Sequence, residues 1–253
     1  MSSPHPRASA AASAAPAVEV RGLVRRYGSN TVLRGLDLSI RHGEFVALLG
    51  KSGCGKSTLL RTLAGLDAAP TAGEVHVPAR RAVVFQEPRL VPWKPVLRNL
   101  TLGLRGAGRE AIARQALAEV GLSHREQAWP LTLSGGEAQR AALARSLVRE
   151  PELFLLDEPF AALDALTRLR MQQLVLKLWR RHELTVLLVT HDVDEALTLA
   201  DRVIVMEGGR LAADLPVELP RPRRHTHPGF EGLRVDFLAR LGLGAYTEET
   251  ATS

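Results

Sequence analysis

Residues 50–58 read Gly50-Lys51-Ser52-Gly53-Cys54-Gly55-Lys56-Ser57-Thr58. The apolar run Phe45 to Leu49 precedes them, and a segment of helical spacing, Lys56 to Ala64, follows. A glycine-rich loop between a buried strand and a helix is the pattern of a phosphate-binding P-loop. The glycines let backbone N–H groups wrap an anion, and the amino end of the helix adds favourable partial charge. Lys56 is expected to reach the β- and γ-phosphates of a nucleotide and Ser57 to ligate Mg²⁺.

Outward from this loop the pattern is one of alternating strands and helices. Val18 to Val24 and Val32 to Ile40 read as early strands joined through Gly28-Ser29-Asn30. Leu36, Leu38 and Ile40 alternate with polar or small residues, the mark of a half-exposed antiparallel strand. Ala82 to Phe85, Leu153 to Leu156, Thr185 to Thr190 and Arg202 to Met206 are short apolar runs of the kind buried in a parallel sheet. Helices are expected at 166–181 and 192–199. Between Pro88 and about Arg149 helical stretches near 95–104, 108–120 and 136–149 occur with no strand. The expected fold is α/β: a P-loop NTPase (RecA-like) parallel-sheet core, an N-terminal antiparallel β subdomain and an inserted α-helical subdomain at about 88–149. Residues 1–17 are expected to be a disordered lead, 18–216 the ATPase domain, and 217–253 a tail that is partly helical, near Gly232 to Leu241, or disordered.

Several strand ends carry groups suited to phosphate chemistry. Asp157 closes the run Leu153 to Leu156, where a carboxylate can hold Mg²⁺ beside the P-loop. Glu158 comes next, placed to orient and deprotonate an attacking water. Gln86 ends another strand and can touch the metal or the water. His191 ends a third; it is either a γ-phosphate contact or an ordinary structural histidine. Tyr27 is either a stacking surface for adenine or an exposed aromatic at a turn. Cys54 is a filler in the loop, or a thiol made reactive by the helix end.

Residues 133–137 read Leu133-Ser134-Gly135-Gly136-Glu137, followed by Gln139 and Arg140. Ser134 caps the helix that begins there, and Gly135 and Gly136 allow close backbone approach. This second anion-binding helix end lies far from the P-loop in sequence. Two cradles per chain and one ATP per P-loop imply that cradles from different chains pair.

Composition narrows the class. The 253 residues carry a formal net charge of +6. Of the 33 basic residues only Lys51, Lys56, Lys94 and Lys177 are lysine, and the arginines are scattered rather than blocked. That spread reads as a surface bias; gathered arginine would have favoured nucleic acid. A single cysteine excludes a disulfide framework. No apolar run reaches the ~18 residues of a membrane span. The Ala-, Ser- and Pro-rich first residues lack the apolar core of a signal peptide. The reading is a soluble intracellular protein whose membrane partner, if any, is another chain. His182, His225 and His227 lack the further ligands of a metal site.

Over about residues 18–216 the chain resembles the ATPase subunits of ATP-binding-cassette transporters. The motifs that carry the resemblance come in the family's order: Tyr27, the P-loop, Gln86, the signature 133–137, the strand ending in Asp157 and Glu158, Ala162-Leu163-Asp164, and His191. The resemblance implies a head-to-tail homodimer with two ATP held between P-loops and opposing signatures. Asp164 would communicate across the interface, and hydrolysis at Glu158 would reopen the dimer. Glu137 stands where the family more often has Gln. The segment Leu90-Val91-Pro92-Trp93 is similar to that of importers of sulfonates, taurine and nitrate, and Leu219 to Arg223 is most similar to those for aliphatic sulfonates. Taurine, nitrate or a pyrimidine are the alternative cargoes. The implied partners are two membrane-spanning permease subunits, contacted through Trp93, and indirectly an external substrate-binding protein. The implied place is the cytoplasmic face of the plasma membrane. Trp93 could instead pack within the helical block. Two other classes compete: a cassette ATPase acting on DNA or ribosomes, which would usually need a coiled coil or second cassette, and a P-loop kinase, which leaves 133–137 unexplained.

Overall fold

The computed structural model describes residues 15–223 and 226–240. Most of the expected lead, His225 and the end of the expected tail helix lie outside them. Two sheets organise the chain. The first pairs strands β1 (Val18–Tyr27), β2 (Asn30–Ile40) and β4 (Ala72–His76) in the order β2-β1-β4, antiparallel throughout. The second contains β3 (Phe45–Leu49), β5 (Arg81–Val84), β6 (Leu153–Asp157), β7 (Thr185–Val189), β8 (Arg202–Glu207) and β9 (Arg210–Pro216), in the order β5-β6-β7-β3-β8-β9. Its first five strands are parallel, and β9 turns back on β8 as an antiparallel edge.

β3 and β7 are buried along their whole length. Their alternation divides two cores. Phe45, Ala47 and Leu49 of β3 pack with the helices on one face. Val46 and Leu48 pack on the other against β1, β2 and helix α1 (Lys56–Ala64). This two-sided burial explains why the central strands read as continuous apolar runs while β2 alternates.

Three helices lie between β5 and β6 in the chain: α2 (Val96–Thr101), α3 (Arg109–Glu119) and α4 (Gly135–Leu147). The core helices α5 (Ala165–His182) and α6 (Val193–Leu199) follow β6 and β7. The strands β4 and β9 were not expected. β4 holds only one half-buried residue, and β9 alternates exposed with half-buried residues and no fully buried one, so neither has the apolar run that marks a strand.

The tail is packed. Helix α7 (Pro228–Arg240) starts four residues before the stretch read as helical, and it buries Phe230 and Phe237 in the main core against α6. Before it, Arg223 donates to the carbonyls of Val217, Leu219, Leu197 and Ala200, and Arg221 to the Leu199 carbonyl and Asp201. These guanidiniums close the carboxyl end of α6, where carbonyls have no helical partner. Arg221 also lies over the Trp179 ring, 4.6 Å from its centroid.

Candidate active site

The P-loop connects β3 to α1. Gly50 is required by space: a Cβ there would lie 2.4 Å from the Met206 carbonyl oxygen. Gly55 precedes α1 at φ 108°, a conformation that favours glycine, and gives the helix no side-chain cap. The first N–H groups of α1 are therefore left for a ligand. The Lys56 ammonium is buried inside the loop, donating to the Gly50 carbonyl at 2.6 Å and the Lys51 carbonyl at 3.0 Å. Cys54 is half-buried, with Sγ 4.0 Å from the Lys56 ammonium.

The carboxyl ends of β5, β6 and β7 converge beside this loop. Ser57, Gln86, Asp157 and Glu158 line one cleft of about 290 Å³, together with Arg61 and Arg89. The Ser57 hydroxyl donates to Asp157 at 3.3 Å. Burial pushes the Asp157 carboxyl above its ordinary range, the Ser57 hydrogen bond pulls it back, and neighbouring Glu158 raises it further. A carboxylate desolvated beside a second carboxylate is a site that gains from a cation. Hydroxyl and carboxylate oxygens together are the donor set that Mg²⁺ takes.

Glu158 has φ 47°, an uncommon conformation for a side-chain-bearing residue, and its N–H donates to the Val189 carbonyl at 2.9 Å. This turns its carboxylate toward His191, whose Nδ1 lies 3.2 Å from Oε2. His191 is mostly exposed, and only a quarter of the Glu158 side chain is. Behind them Asp192 caps α6, accepting from the N–H groups of Asp194 and Glu195. Thr190 donates to the buried Glu195, whose carboxyl burial holds above its usual range.

The signature lies elsewhere. Ser134 and Glu137 form a reciprocal cap at the start of α4: Ser134 Oγ accepts from the Glu137 N–H at 3.2 Å, and Glu137 accepts from the Ser134 N–H at 2.9 Å. Arg125 donates to the other Glu137 oxygen at 2.8 Å. The Ser134 N–H and then Arg125 hold the Glu137 carboxyl below the ordinary range. Gly136 faces α5, where a Cβ would lie 2.6 Å from the Thr167 methyl, whereas Gly135 opens onto free space. Ser134 to Glu137 do not line the cleft of the chain's own Asp157, and neither does Tyr27, whose hydroxyl donates to Asp67 at 2.8 Å. Asp164 caps α5 by accepting from the Thr167 N–H at 3.0 Å, and the Thr167 hydroxyl and N–H lower its pKa.

Two side chains that the motifs do not include tie the helical block to this cleft, and a third holds the turn before α2. Buried Gln139 donates to the Phe85 carbonyl at 3.0 Å, next to Gln86. Arg145 donates to the carbonyls of Pro88 and Arg89. Fully buried Asn99 accepts from the Val91 N–H at 2.7 Å and donates to the Lys94 carbonyl at 2.8 Å. That turn presents Trp93 to solvent at 74% exposure, so the ring is not packed within the block. Gln139 stood next to the signature in sequence; only the fold shows what it holds.

Comparison with known proteins gives the family. The model described as "ABC transporter" matches residues 33–161. The aliphatic sulfonates import ATP-binding protein SsuB 1 of Pseudomonas fluorescens is 63% identical over 92% of this chain and 89% of its own length. Its counterpart SsuB 2 of Nocardia farcinica is 64% identical over 93% of this chain and 100% of its own. Among solved structures, the dimeric post-hydrolysis state of the ATP-binding cassette MJ0796 bound to ADP and Pi superposes with a TM-score of 0.71. It is 30% identical, over 80% of this chain and 100% of that one. With its P-loop, its Asp157–Glu158 strand end and its separate signature helix, this chain belongs to the ABC transporter family as an ATP-binding cassette.

Proposed function

We propose that this chain is the ATP-hydrolysing subunit of an importer of aliphatic sulfonates. It works as a head-to-tail pair of cassettes on the cytoplasmic face of the membrane, beneath separate permease subunits. The observation that carries the hydrolytic role is the convergence of Ser57, Asp157, Glu158 and His191 beside the buried Lys56 ammonium. The cargo is supported by the names of relatives that match nine-tenths of the chain.

The roles follow from chemistry and placement. Lys56, now held by loop carbonyls, exchanges them for phosphate oxygens. Ser57 and Asp157, with Gln86 at the cleft wall, would hold Mg²⁺, which when bound offsets the charge that develops on the phosphates. Glu158 accepts the proton of the attacking water, and His191 fixes the Glu158 carboxylate while its exposed edge faces the phosphate. Tyr27 stacks against the base. Ser134 and the backbone at Gly135 and Gly136 complete the partner's site, which agrees with their absence from the chain's own cleft. Asp164, at the end of the same loop as Glu158, reports between the two sites. Trp93 docks the permease, an aromatic anchor on a rigid turn. No described helix is long and apolar enough to cross a membrane, in keeping with permeation through other chains.

The test is growth and uptake in a strain lacking this gene. Loss of alkanesulfonate use, restored by the wild type but not by Lys56→Ala, is the expected result. Loss confined to taurine, nitrate or a pyrimidine would replace the cargo and keep the motor. In purified protein Glu158→Gln should retain ATP binding and lower the turnover number by about 10²- to 10⁴-fold. Wild-type turnover in that variant would remove Glu158 from the role of base.

A further inference from the structure

The outer face of α5 carries a groove that the nucleotide chemistry does not use. It measures about 630 Å³ and lies between α5 and the segment 221–223. It shares no residue with the cleft of Ser57, Asp157 and Glu158. Leu169, Leu176 and Pro222 give it apolar walls. They continue a helical stripe of exposed Leu166 and Leu169 followed by Gln173, Leu176 and Arg180, spaced three and four residues apart along one face.

Among the remaining walls Gln172, Gln173 and Thr198 are neutral, and every charged residue is cationic. Lys177, Arg180 and Arg181 of α5 meet Arg221 and Arg223 from the tail. No carboxylate lines the groove among the described residues. Arg181 and Arg221 have carboxylate partners, Glu119 and Asp201. Arg223 is satisfied by carbonyls alone. Lys177 and Arg180 make no ion pair or hydrogen bond among the described residues. Burial, and then Arg221 beside it, brings the Arg223 guanidinium down to about 10, against the opposing pull of Asp201. An apolar floor beside a polar rim whose charged members are all basic favours a ligand with a hydrocarbon body and an anionic head, since arginine and lysine donors match oxyanion acceptors.

We infer that this groove binds a small organic anion with a short alkyl body, the chemistry of an alkanesulfonate. Naming the sulfonate as the cellular member of that class rests on the transport reading above; the class itself rests on the groove. The alkyl chain lies along Leu169, Leu176 and Pro222, and the head takes donors from Lys177 and Arg180, while Arg221 and Arg223, whose donors hold the end of α6, add positive charge. The site is thus built where the Arg221–Arg223 clamp closes the end of α6.

The test is calorimetric titration of the full chain with butanesulfonate, hexanesulfonate and hexanoate, with sulfate and hexanol as head-only and tail-only probes. One saturable site is expected for the alkyl anions, tightening about two- to fourfold per added methylene. Sulfate and hexanol should bind about tenfold more weakly or not at all. The double variant Lys177→Glu/Arg180→Glu changes only exposed side chains and should weaken hexanesulfonate by about tenfold or more while ATP binding persists. Leu176→Gln should flatten the dependence on chain length. Absence of saturable binding, unchanged affinity in the charge-reversed variant, or displacement by ATP would overturn the proposal. Binding to anionic phospholipid vesicles without binding of the soluble alkyl anions would also overturn it, in favour of a membrane surface. If the growth test excludes sulfonates while hexanesulfonate and hexanoate still bind here, the cargo falls and the groove stands.

Discussion

Replacing Glu137 by alanine tests how the signature is held. The substitution removes the 2.9 Å bond that Glu137 accepts from the Ser134 N–H and the 2.8 Å bond from Arg125, together with a looser 4.0 Å approach of the exposed His124 ring. Loss of a capping bond costs about 1 kcal/mol. The Arg125 side chain is 40% exposed against 13% for Glu137, so solvent screens the pair, and its share is about 0.5 kcal/mol. Glu137→Ala should therefore lose about 1.5 kcal/mol of unfolding free energy. Glu137→Gln keeps an oxygen for the Ser134 N–H and should lose only about 0.5 kcal/mol, with ATPase near wild type. The pH dependence has a definite sign. The folded Glu137 carboxyl lies below its ordinary value, so its contribution is complete above the unfolded pKa of about 4.3 and fades as pH falls through the folded value. Urea unfolding of wild type and both variants from pH 8 down to about 3.5 measures this. The gap between wild type and Glu137→Ala should be constant above pH ~5 and shrink below ~4. An alanine variant as stable as wild type at pH 7, or a gap that persists unchanged in acid, would refute the capping role.

Other substitutions separate structure from chemistry. Gly136→Ala drives a Cβ into Thr167 and should destabilise by about 1–3 kcal/mol, read by thermal unfolding. Gly135→Ala meets nothing and should be neutral or slightly stabilising, yet should lower ATPase if that backbone approaches the partner's nucleotide; full ATPase would count against the paired-site reading. Asn99→Ala strands the Val91 N–H and the Lys94 carbonyl and should cost about 2–4 kcal/mol, with faster proteolysis around Trp93. Phe237→Ala opens a cavity under α7 and should cost about 3–5 kcal/mol by urea unfolding; a negligible change would mean that the tail helix is not part of the core.

Much of the nucleotide cleft was legible because its parts are local. A P-loop is a contiguous string whose glycines act through their backbone and whose lysine side chain folds back over the same loop, and Asp157 and Glu158 announce themselves as carboxylates at the end of an apolar strand. The buried strands could be read for the same reason: both faces are covered, so every residue from Phe45 to Leu49 is apolar. The edge strands β4 and β9 escaped because an edge needs no such run. His191 was ambiguous in sequence; its 3.2 Å approach to Glu158 depends on β6 and β7 lying side by side.

What the sequence alone determined, then, is which groups are available: a glycine-rich phosphate loop, two carboxylates at the end of an apolar strand, and a serine-capped pair of glycines at a second helix end. What only the tertiary structure decided is which distant residues hold those groups in place. Arg125 meets Glu137, Gln139 meets the Phe85 carbonyl, and Arg221 and Arg223 meet the end of α6 because helices and strands far apart in the chain pack together. Such contacts carry no local signature. An arginine that clamps a helix end and one that faces water are the same letter, and only burial and neighbouring carbonyls tell them apart.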